Sequence, residues 1–89
     1  MSDAFLEMSY RHGKAFAAYL HLPHVAGAKV TSTREVRPGL VVDFAADGAP
    51  MGLEIVNPTD VRVELVLTVL VEVHAAPVAP EELAPLRAA

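Results

Sequence analysis

The sequence predicts a small antiparallel β-meander of four to five strands, followed by residues 61–73, which form either the C-terminal helix of an α+β fold or an extra strand. Two turn signals support the meander, Pro38-Gly39 and Asp47-Gly48, because each separates short segments rich in β-branched and aromatic residues. A third observation leaves the last element open. Apolar residues recur at every second position from Val61 to Val73, which favours a strand, but others recur at helical spacing.

The length of 89 residues corresponds to one domain, residues 1–89. A chain of this size buries only about 60% of the surface that it exposes when unfolded. Yet 53% of its residues are hydrophobic and only 20% are charged. We therefore expect some apolar surface to be buried against another copy, in a homodimer or higher oligomer.

The net charge is −4, and the seven Lys and Arg residues are scattered among eleven acidic ones. Nucleic-acid binding needs a basic patch, so we expect no nucleic-acid partner. The chain has no Cys, which excludes disulfides and thiolate metal sites. The N-terminal residues lack the pattern of a signal peptide, and the apolar run of residues 65–71 is too short to cross a bilayer. We therefore expect a cytoplasmic protein with no membrane contact.

Residues 5–22 have the pattern of a hairpin. Residues 5–10 alternate in character as a strand does, residues 11–14 break the pattern as a turn would, and residues 16–22 form a second apolar segment. The alanines of that segment leave a helical turn open. Residues 30–36 are rich in β-branched residues and predict a third strand.

The Asp47-Gly48 pair predicts a tight hairpin with a two-residue type I′ turn, in which both central residues have positive φ. This turn places Phe44 opposite Met51, Val42 opposite Leu53, and Asp43 opposite Gly52. A slip of one residue would turn every side chain to the other face, so the apolar side chains fix the register. The face predicted to be buried consists of Val42, Phe44, Met51, Leu53 and Ile55.

The Pro38-Gly39 pair suits the central positions of a type II turn. If the loop consisted of these two residues alone, Glu35 would pair with Val42, and the Glu35 carboxylate would point to the buried face. We therefore expect a loop that is longer by one residue. That loop pairs Val36 with Val42 and leaves Glu35 on the polar side.

A series of segments occurs in a characteristic order: Tyr10, residues 16–20, residues 33–36, residues 39–44, Asp47-Gly48 and residues 52–55. Together they resemble one family of small bacterial proteins, the domain of unknown function 2283, over roughly residues 5–60. The resemblance implies an antiparallel sheet with a C-terminal helix, so residues 61–73 are expected to be helical against their strand propensity. It also implies a second short helix near residues 81–86. It implies no catalytic residues and an antitoxin-like role in a toxin–antitoxin-like gene pair.

Asp43 and Glu54 are the most suggestive polar pair. The predicted register places them diagonally on one face of neighbouring strands, about 7–8 Å apart at the backbone. Together with Glu35 they could form a ligand or metal face, or perform acid–base chemistry. The alternative is that they are ordinary solvent-facing carboxylates, paired with Arg34, Arg37 or Arg62.

Other candidate sites are weaker. His21 and His24 have a zinc-like spacing, but residues three apart on a strand point to opposite faces and Pro23 disfavours a helix. Tyr10, Phe16 and Tyr19 could line an aromatic patch, but we expect them to pack in the core. The chain has neither a glycine-rich phosphate loop nor a nucleophile elbow, so no cofactor, metal or catalytic residue is predicted.

Residues 61–73 contain more apolar side chains than one face of an element can bury. We therefore predict self-association through four of them, Val66, Val69, Leu70 and Val73. The function predicted from the sequence is a non-enzymatic protein-interaction module that acts as a homodimer. The alternative is a ligand- or metal-binding protein, or an enzyme, that uses the Asp43 and Glu54 face.

Overall fold

The computed structural model describes residues 3–88, which form an α+β structure. Five antiparallel strands make one sheet in the order β1-β2-β5-β4-β3. The strands are β1 (Phe5–Arg11), β2 (Lys14–His21), β3 (Val30–Arg37), β4 (Leu40–Ala45) and β5 (Pro50–Val56). The predicted antiparallel sheet is confirmed, but its strands do not form one continuous meander. The β1–β2 hairpin adds to the far side of the β3–β5 meander, because β2 pairs with β5 rather than with β3.

One face of the sheet is covered by the C-terminal third of the chain. After a 3₁₀ turn at Pro58–Asp60, helix α1 spans Val63–Glu72. A second 3₁₀ turn at Pro80–Leu83 leads into the short helix α2, Ala84–Arg87. These elements share a core with the inward side chains of β2, β4 and β5. The fully buried members include Leu20, Leu40, Val42, Leu53, Ile55, Val66, Val69 and Leu83.

The helix expected over residues 61–73 is confirmed, and the alternative of an extra strand is wrong. Val63, Val66 and Leu70 recur at helical spacing on the buried side of α1, together with Val69. No helix among residues 3–88 is long and apolar enough to cross a bilayer. Burial of one helical face against the sheet therefore overrides the strand propensity of the valines.

The Asp47-Gly48 hairpin has the predicted central register, with Val42 opposite Leu53 and Asp43 opposite Gly52. The turn itself differs from the prediction. Among its residues only Gly48 has positive φ (87°), and the loop spans three residues, closed by a 2.9 Å bond from the Gly48 N–H to the Ala45 carbonyl oxygen. Phe44 therefore lies opposite Pro50 instead of Met51, and a bulge at Met51 of β5 offsets the longer loop so that the central pairs keep their register.

The Pro38-Gly39 hairpin also differs from the prediction. Its loop has two residues, because Arg37 pairs directly with Leu40. The extra residue lies within β3 as a bulge between Glu35 and Arg37, so Glu35 pairs with Val41 and not with Val42. The predicted pairing of Val36 with Val42 is therefore wrong, whereas the predicted polar position of Glu35 is confirmed.

Candidate functional site on the open face of the sheet

The sheet face that points away from the helices is called here the open face. Its residues follow from strand alternation and from the pairing of neighbouring strands. They are Phe5, Glu7 and Ser9 on β1, Ala17, Tyr19 and His21 on β2, Gly52, Glu54 and Val56 on β5, Val41 and Asp43 on β4, and Thr33 and Glu35 on β3.

A polar network crosses the centre of the open face over four neighbouring strands, β2, β5, β4 and β3, and Gly52 is the residue of β5 that it passes over. The Tyr19 hydroxyl donates a 2.7 Å hydrogen bond to Oδ2 of Asp43, and the Thr33 hydroxyl donates one of the same length to Oδ1. The Tyr19 ring reaches Asp43 by lying across Gly52. A Cβ atom at Gly52 would lie only 2.0 Å from the Tyr19 hydroxyl oxygen, so glycine leaves the space that the phenol occupies.

The position of Tyr19 changes its acidity. Burial raises the pKa of the Tyr19 hydroxyl well above its ordinary value of about 10, and the hydrogen bond to Asp43 and the charges of Asp43 and Glu54 raise that pKa further. A phenol with a raised pKa keeps its proton at neutral pH. Tyr19 is therefore a hydrogen-bond donor here and is poorly suited to act as a base.

An aromatic cluster extends this network toward β1. The Phe5 ring stacks on the His21 imidazole, with ring centroids 4.2 Å apart, and Tyr19 meets His21 edge-on at 4.7 Å. His21 Nε2 also contacts Oε1 of Glu7. Each of these side chains thus has contacts that restrict its rotamers, so the β1 side of the open face is a preorganised surface.

The carboxylates that the sequence singles out lie on this face, as predicted. Asp43 and Glu54 are diagonal neighbours on β4 and β5, and Glu35 lies across Val41 from Glu54. Glu35 Oε2 accepts a 3.2 Å bond from the Gly39 N–H. Both oxygens of Asp43 accept bonds from neutral hydroxyls, so Asp43 is held in place by the network and not by an arginine.

The expected arginine partners are occupied elsewhere. The Arg34 guanidinium lies 4.9 Å from the centre of the Phe44 ring. Arg37 pairs with Glu72 of α1 at 2.5 Å, and Arg62 lies 3.8 Å from Glu64. The alternative in which Asp43 and Glu54 pair with one of these arginines is wrong in its partners, because all three arginines interact with the helical layer or with the inward face.

The geometry gives little support to a metal centre. Among residues 3–88 no three His, Asp or Glu side chains are grouped as ligands for one ion. His21 contacts Glu7, whereas His24 Nδ1 lies 2.8 Å from the carbonyl oxygen of Leu22. The polar side chains of the open face can bind a cationic or hydrogen-bonding group, but they do not point to one common position as the ligands of a metal ion do.

The four residues predicted to mediate self-association lie elsewhere. Val66, Val69 and Leu70 are buried in the core of the single chain, and Val73 is partly buried against it. The core of the single chain therefore covers most of the apolar side chains of residues 61–73, whereas Leu65 and Val71 remain exposed. These four residues were predicted to contact a second copy because they were expected to be exposed, and that expectation is wrong.

The sequence did not identify Tyr19, Thr33 or His21 as parts of one site. Tyr19 was expected in the core with Tyr10 and Phe16, but Tyr10 and Phe16 are exposed. The signal that could have found the network is the pairing of β2 with β5, which places Tyr19 beside Glu54 and His21 beside Gly52. Because this pairing joins distant parts of the chain, local patterns do not reveal it.

One comparison with known proteins supports the resemblance described above. The profile of a family described as protein of unknown function (DUF2283) matches residues 17–57, from within β2 to the residue after β5. The matched segment is shorter than the expected residues 5–60 and excludes β1. No curated protein and no solved structure matches the chain significantly. Residues 17–57 are therefore similar to the DUF2283 family of unknown function, the family that the resemblance named.

Proposed function

We propose that this protein is a non-enzymatic interaction module that binds a basic segment of a partner protein on its open face. The observation that carries the proposal is the environment of Tyr19. Glu7 and Glu54 are the residues directly opposite Tyr19 on β1 and β5, so a carboxylate residue flanks Tyr19 on each side. A shallow hollow of about 230 Å³ is lined by these three residues together with Ser9 and Ala17.

Such a hollow suits the side chain of a lysine or an arginine. A cation above an aromatic ring is attracted by the ring electrons, and two flanking carboxylates strengthen the attraction. The open face carries four carboxylates, Glu7, Glu35, Asp43 and Glu54, and none of its residues named above is a lysine or an arginine. This charge pattern favours a basic partner.

Apolar side chains on the same face add contact area. Phe5 and Val56 are 45% and 42% exposed, and Val41 is partly exposed between Glu35 and Glu54. A partner segment that alternates basic and apolar residues would satisfy both features. An antitoxin-like role is one form of this function, in which a small acidic protein covers a basic surface of its partner.

The homodimer is a second proposal, and it requires a different surface. Two open faces packed by a two-fold axis would bring the carboxylates of both copies together, which is unfavourable. The free edge of β1 is better suited. The other edge, β3, carries exposed Arg34 and Glu35 and two irregularities in its pairing, which are features that block edge-to-edge association. β1 has one irregularity and two exposed aromatic residues, Phe5 and Tyr10.

The test of the basic-partner proposal is a titration of ¹⁵N-labelled protein with a synthetic peptide of alternating lysine and leucine. We expect amide shifts concentrated on the open face and an affinity that falls as salt is raised. The double substitution Glu7→Gln and Glu54→Gln should weaken binding by at least about tenfold, which corresponds to about 1.4 kcal/mol. Isothermal titration calorimetry measures this change.

The matched control is the double substitution Glu81→Gln and Glu82→Gln. It removes the same number of charges from the helical side of the molecule, at the second 3₁₀ turn. Equal weakening by the two double variants would show that the peptide responds only to net charge. That result, or shifts centred away from β1, β2 and β5, would contradict the proposal.

A further inference from the structure

A second concave surface lies at the end of the sheet, where the β1–β2 turn meets the 3₁₀ turn after β5. It is a cleft of about 530 Å³, lined by residues 11–16, except Gly13, and by Asn57, Thr59 and Asp60. The backbone N–H of Asn57 donates a 3.2 Å bond to the carbonyl oxygen of Phe16 and holds the two segments together. Small-molecule sites have volumes of about 300–1,000 Å³, so this cleft is large enough for one.

Two cationic side chains lie next to each other in the cleft. Arg11 and Lys14 are directly opposite residues of β1 and β2. Like charges in this position are destabilising, and neither residue forms an ion pair within the described part of the chain. The Arg11 guanidinium rests 4.8 Å from the centre of the Phe16 ring, which restrains it at the cleft. A bound anion would remove the repulsion between the two cations.

The backbone around the cleft is unusual. His12 and Asn57 adopt left-handed conformations, with φ of 53° and 55°, and they face the cleft from its two sides. Within residues 3–88 the only other non-glycine residue of this kind is His74. Asparagine and histidine adopt this conformation more readily than most other residues, and the tight turn between β1 and β2 requires it at His12. The two turns thus fix the backbone at the two sides of the cleft.

The remaining polar groups of the cleft are also available. The side chains of Asn57, Thr59 and Asp60 take no part in the side-chain hydrogen bonds formed among residues 3–88. They provide both donors and acceptors. The cleft thus has Arg11 and Lys14 on one side and the neutral or acidic side chains of Asn57, Thr59 and Asp60 on the other.

From these observations we infer that the cleft binds a phosphate monoester of a small hydroxylated molecule. A monoester carries close to two negative charges at neutral pH and offers three acceptor oxygens, which matches Arg11 and Lys14 together better than a single carboxylate does. Asp60 repels a phosphate and accepts hydroxyl donors. It therefore contacts the organic part of the ligand, together with Asn57 and Thr59.

The test uses the full chain, labelled with ¹⁵N, titrated at constant ionic strength with inorganic phosphate and with ribose 5-phosphate. We expect amide shifts at residues 11–16 and at Asn57, Thr59 and Asp60, and tighter binding of ribose 5-phosphate than of inorganic phosphate. Arg11→Gln and Lys14→Gln should each weaken the binding of ribose 5-phosphate by about tenfold or more. Both positions are exposed at a turn, and circular dichroism checks that the variants fold.

Lys29→Gln is the matched control, since Lys29 is exposed and does not line this cleft. It should leave the affinity unchanged. The proposal is overturned if Lys29→Gln weakens binding as much as Lys14→Gln, or if phosphate shifts the amides near every lysine and arginine. If ribose 5-phosphate binds no more tightly than inorganic phosphate, the assignment of Asn57, Thr59 and Asp60 to the organic part is wrong.

Discussion

At the scale of single residues, Gly52 and Tyr19 explain each other. A glycine in the middle of a strand costs about 0.5–1 kcal/mol relative to alanine, so its presence in β5 needs a reason. The reason is steric, because the Tyr19 ring occupies the place where a side chain of residue 52 would lie. The ring then delivers its hydroxyl to Asp43. One small residue on β5 thus permits a contact between β2 and β4.

Gly52→Ala should lower the free energy of unfolding by about 1–3 kcal/mol, because the added methyl group displaces the phenol and breaks its bond to Asp43. The same substitution in a Tyr19→Ala background should be neutral or stabilising, because the space is then empty and alanine is the better strand residue. Urea unfolding of the four proteins in this double-mutant cycle measures the coupling. An equal cost of Gly52→Ala in both backgrounds would show that the ring does not cover Gly52.

The acidity of Tyr19 is a second test of the same contact. The chain has two tyrosines and no tryptophan, so Tyr10→Phe leaves Tyr19 as the only phenol to follow by ultraviolet absorbance. Because burial and the hydrogen bond to Asp43 raise the pKa of Tyr19, phenolate should form only well above pH 10 while the protein stays folded. Adding Asp43→Asn removes the carboxylate charge, so phenolate should then form at lower pH.

The sign of the effect on stability follows from linkage. A raised pKa in the folded state means that the protonated phenol stabilises the fold fully below the unfolded pKa of about 10. This contribution is lost as the pH rises from there through the folded pKa. The difference in unfolding free energy between the parent protein and Tyr19→Phe, about 1 kcal/mol at neutral pH, should therefore shrink above pH 10. A difference that grows with pH would contradict the assignment.

At the scale of elements, the turn residues locate the hairpins but do not fix their details. Pro38-Gly39 and Asp47-Gly48 lie at turns as predicted, yet the extra residue is a bulge in β3 at the first and a loop residue at the second. Both solutions keep the apolar face buried, so the hydrophobic pattern cannot choose between them. The turn with two positive φ values is instead at His12 and Gly13. Its type I′ geometry is hidden because histidine is an uncommon residue there.

Helix α1 offers a sharp test, because two identical residues have opposite environments. Val66 is fully buried and Val71 is 76% exposed. Val66→Ala should cost about 2 kcal/mol of stability through lost burial, whereas Val71→Ala should change stability by no more than about 0.5 kcal/mol. Thermal and urea unfolding measure both changes. A strand over residues 61–73 would bury Val71 with the other odd-numbered positions, so the reverse order of the two costs would refute the helix.

At the scale of the whole molecule, local sequence patterns predict some features of the fold and miss others. The antiparallel hairpins and the register of Val42 with Leu53 follow from alternation and turn chemistry. The pairing of β2 with β5 and the helical state of residues 63–72 do not, because both depend on contacts between segments far apart in the chain. The high apolar content suggested a dimer, but much of it is buried within the single chain. The C-terminal segments contribute Val63, Val66, Leu83 and Leu86 to the core.

A homodimer must therefore be tested on its own surface, the free edge of β1. Light scattering coupled to size exclusion should give a mass of twice 9.5 kDa at high concentration, with dissociation on dilution.

Antiparallel pairing of β1 with its copy would extend the sheet across both chains, so the β1 amides that do not bond β2 should exchange slowly in the dimer. The amides on the free edge of β3 serve as the internal control and should exchange quickly at every concentration. A mass of 9.5 kDa throughout the range would refute the dimer. The acidic open face would then remain the surface on which a partner is sought, because its charge argument does not depend on a second copy.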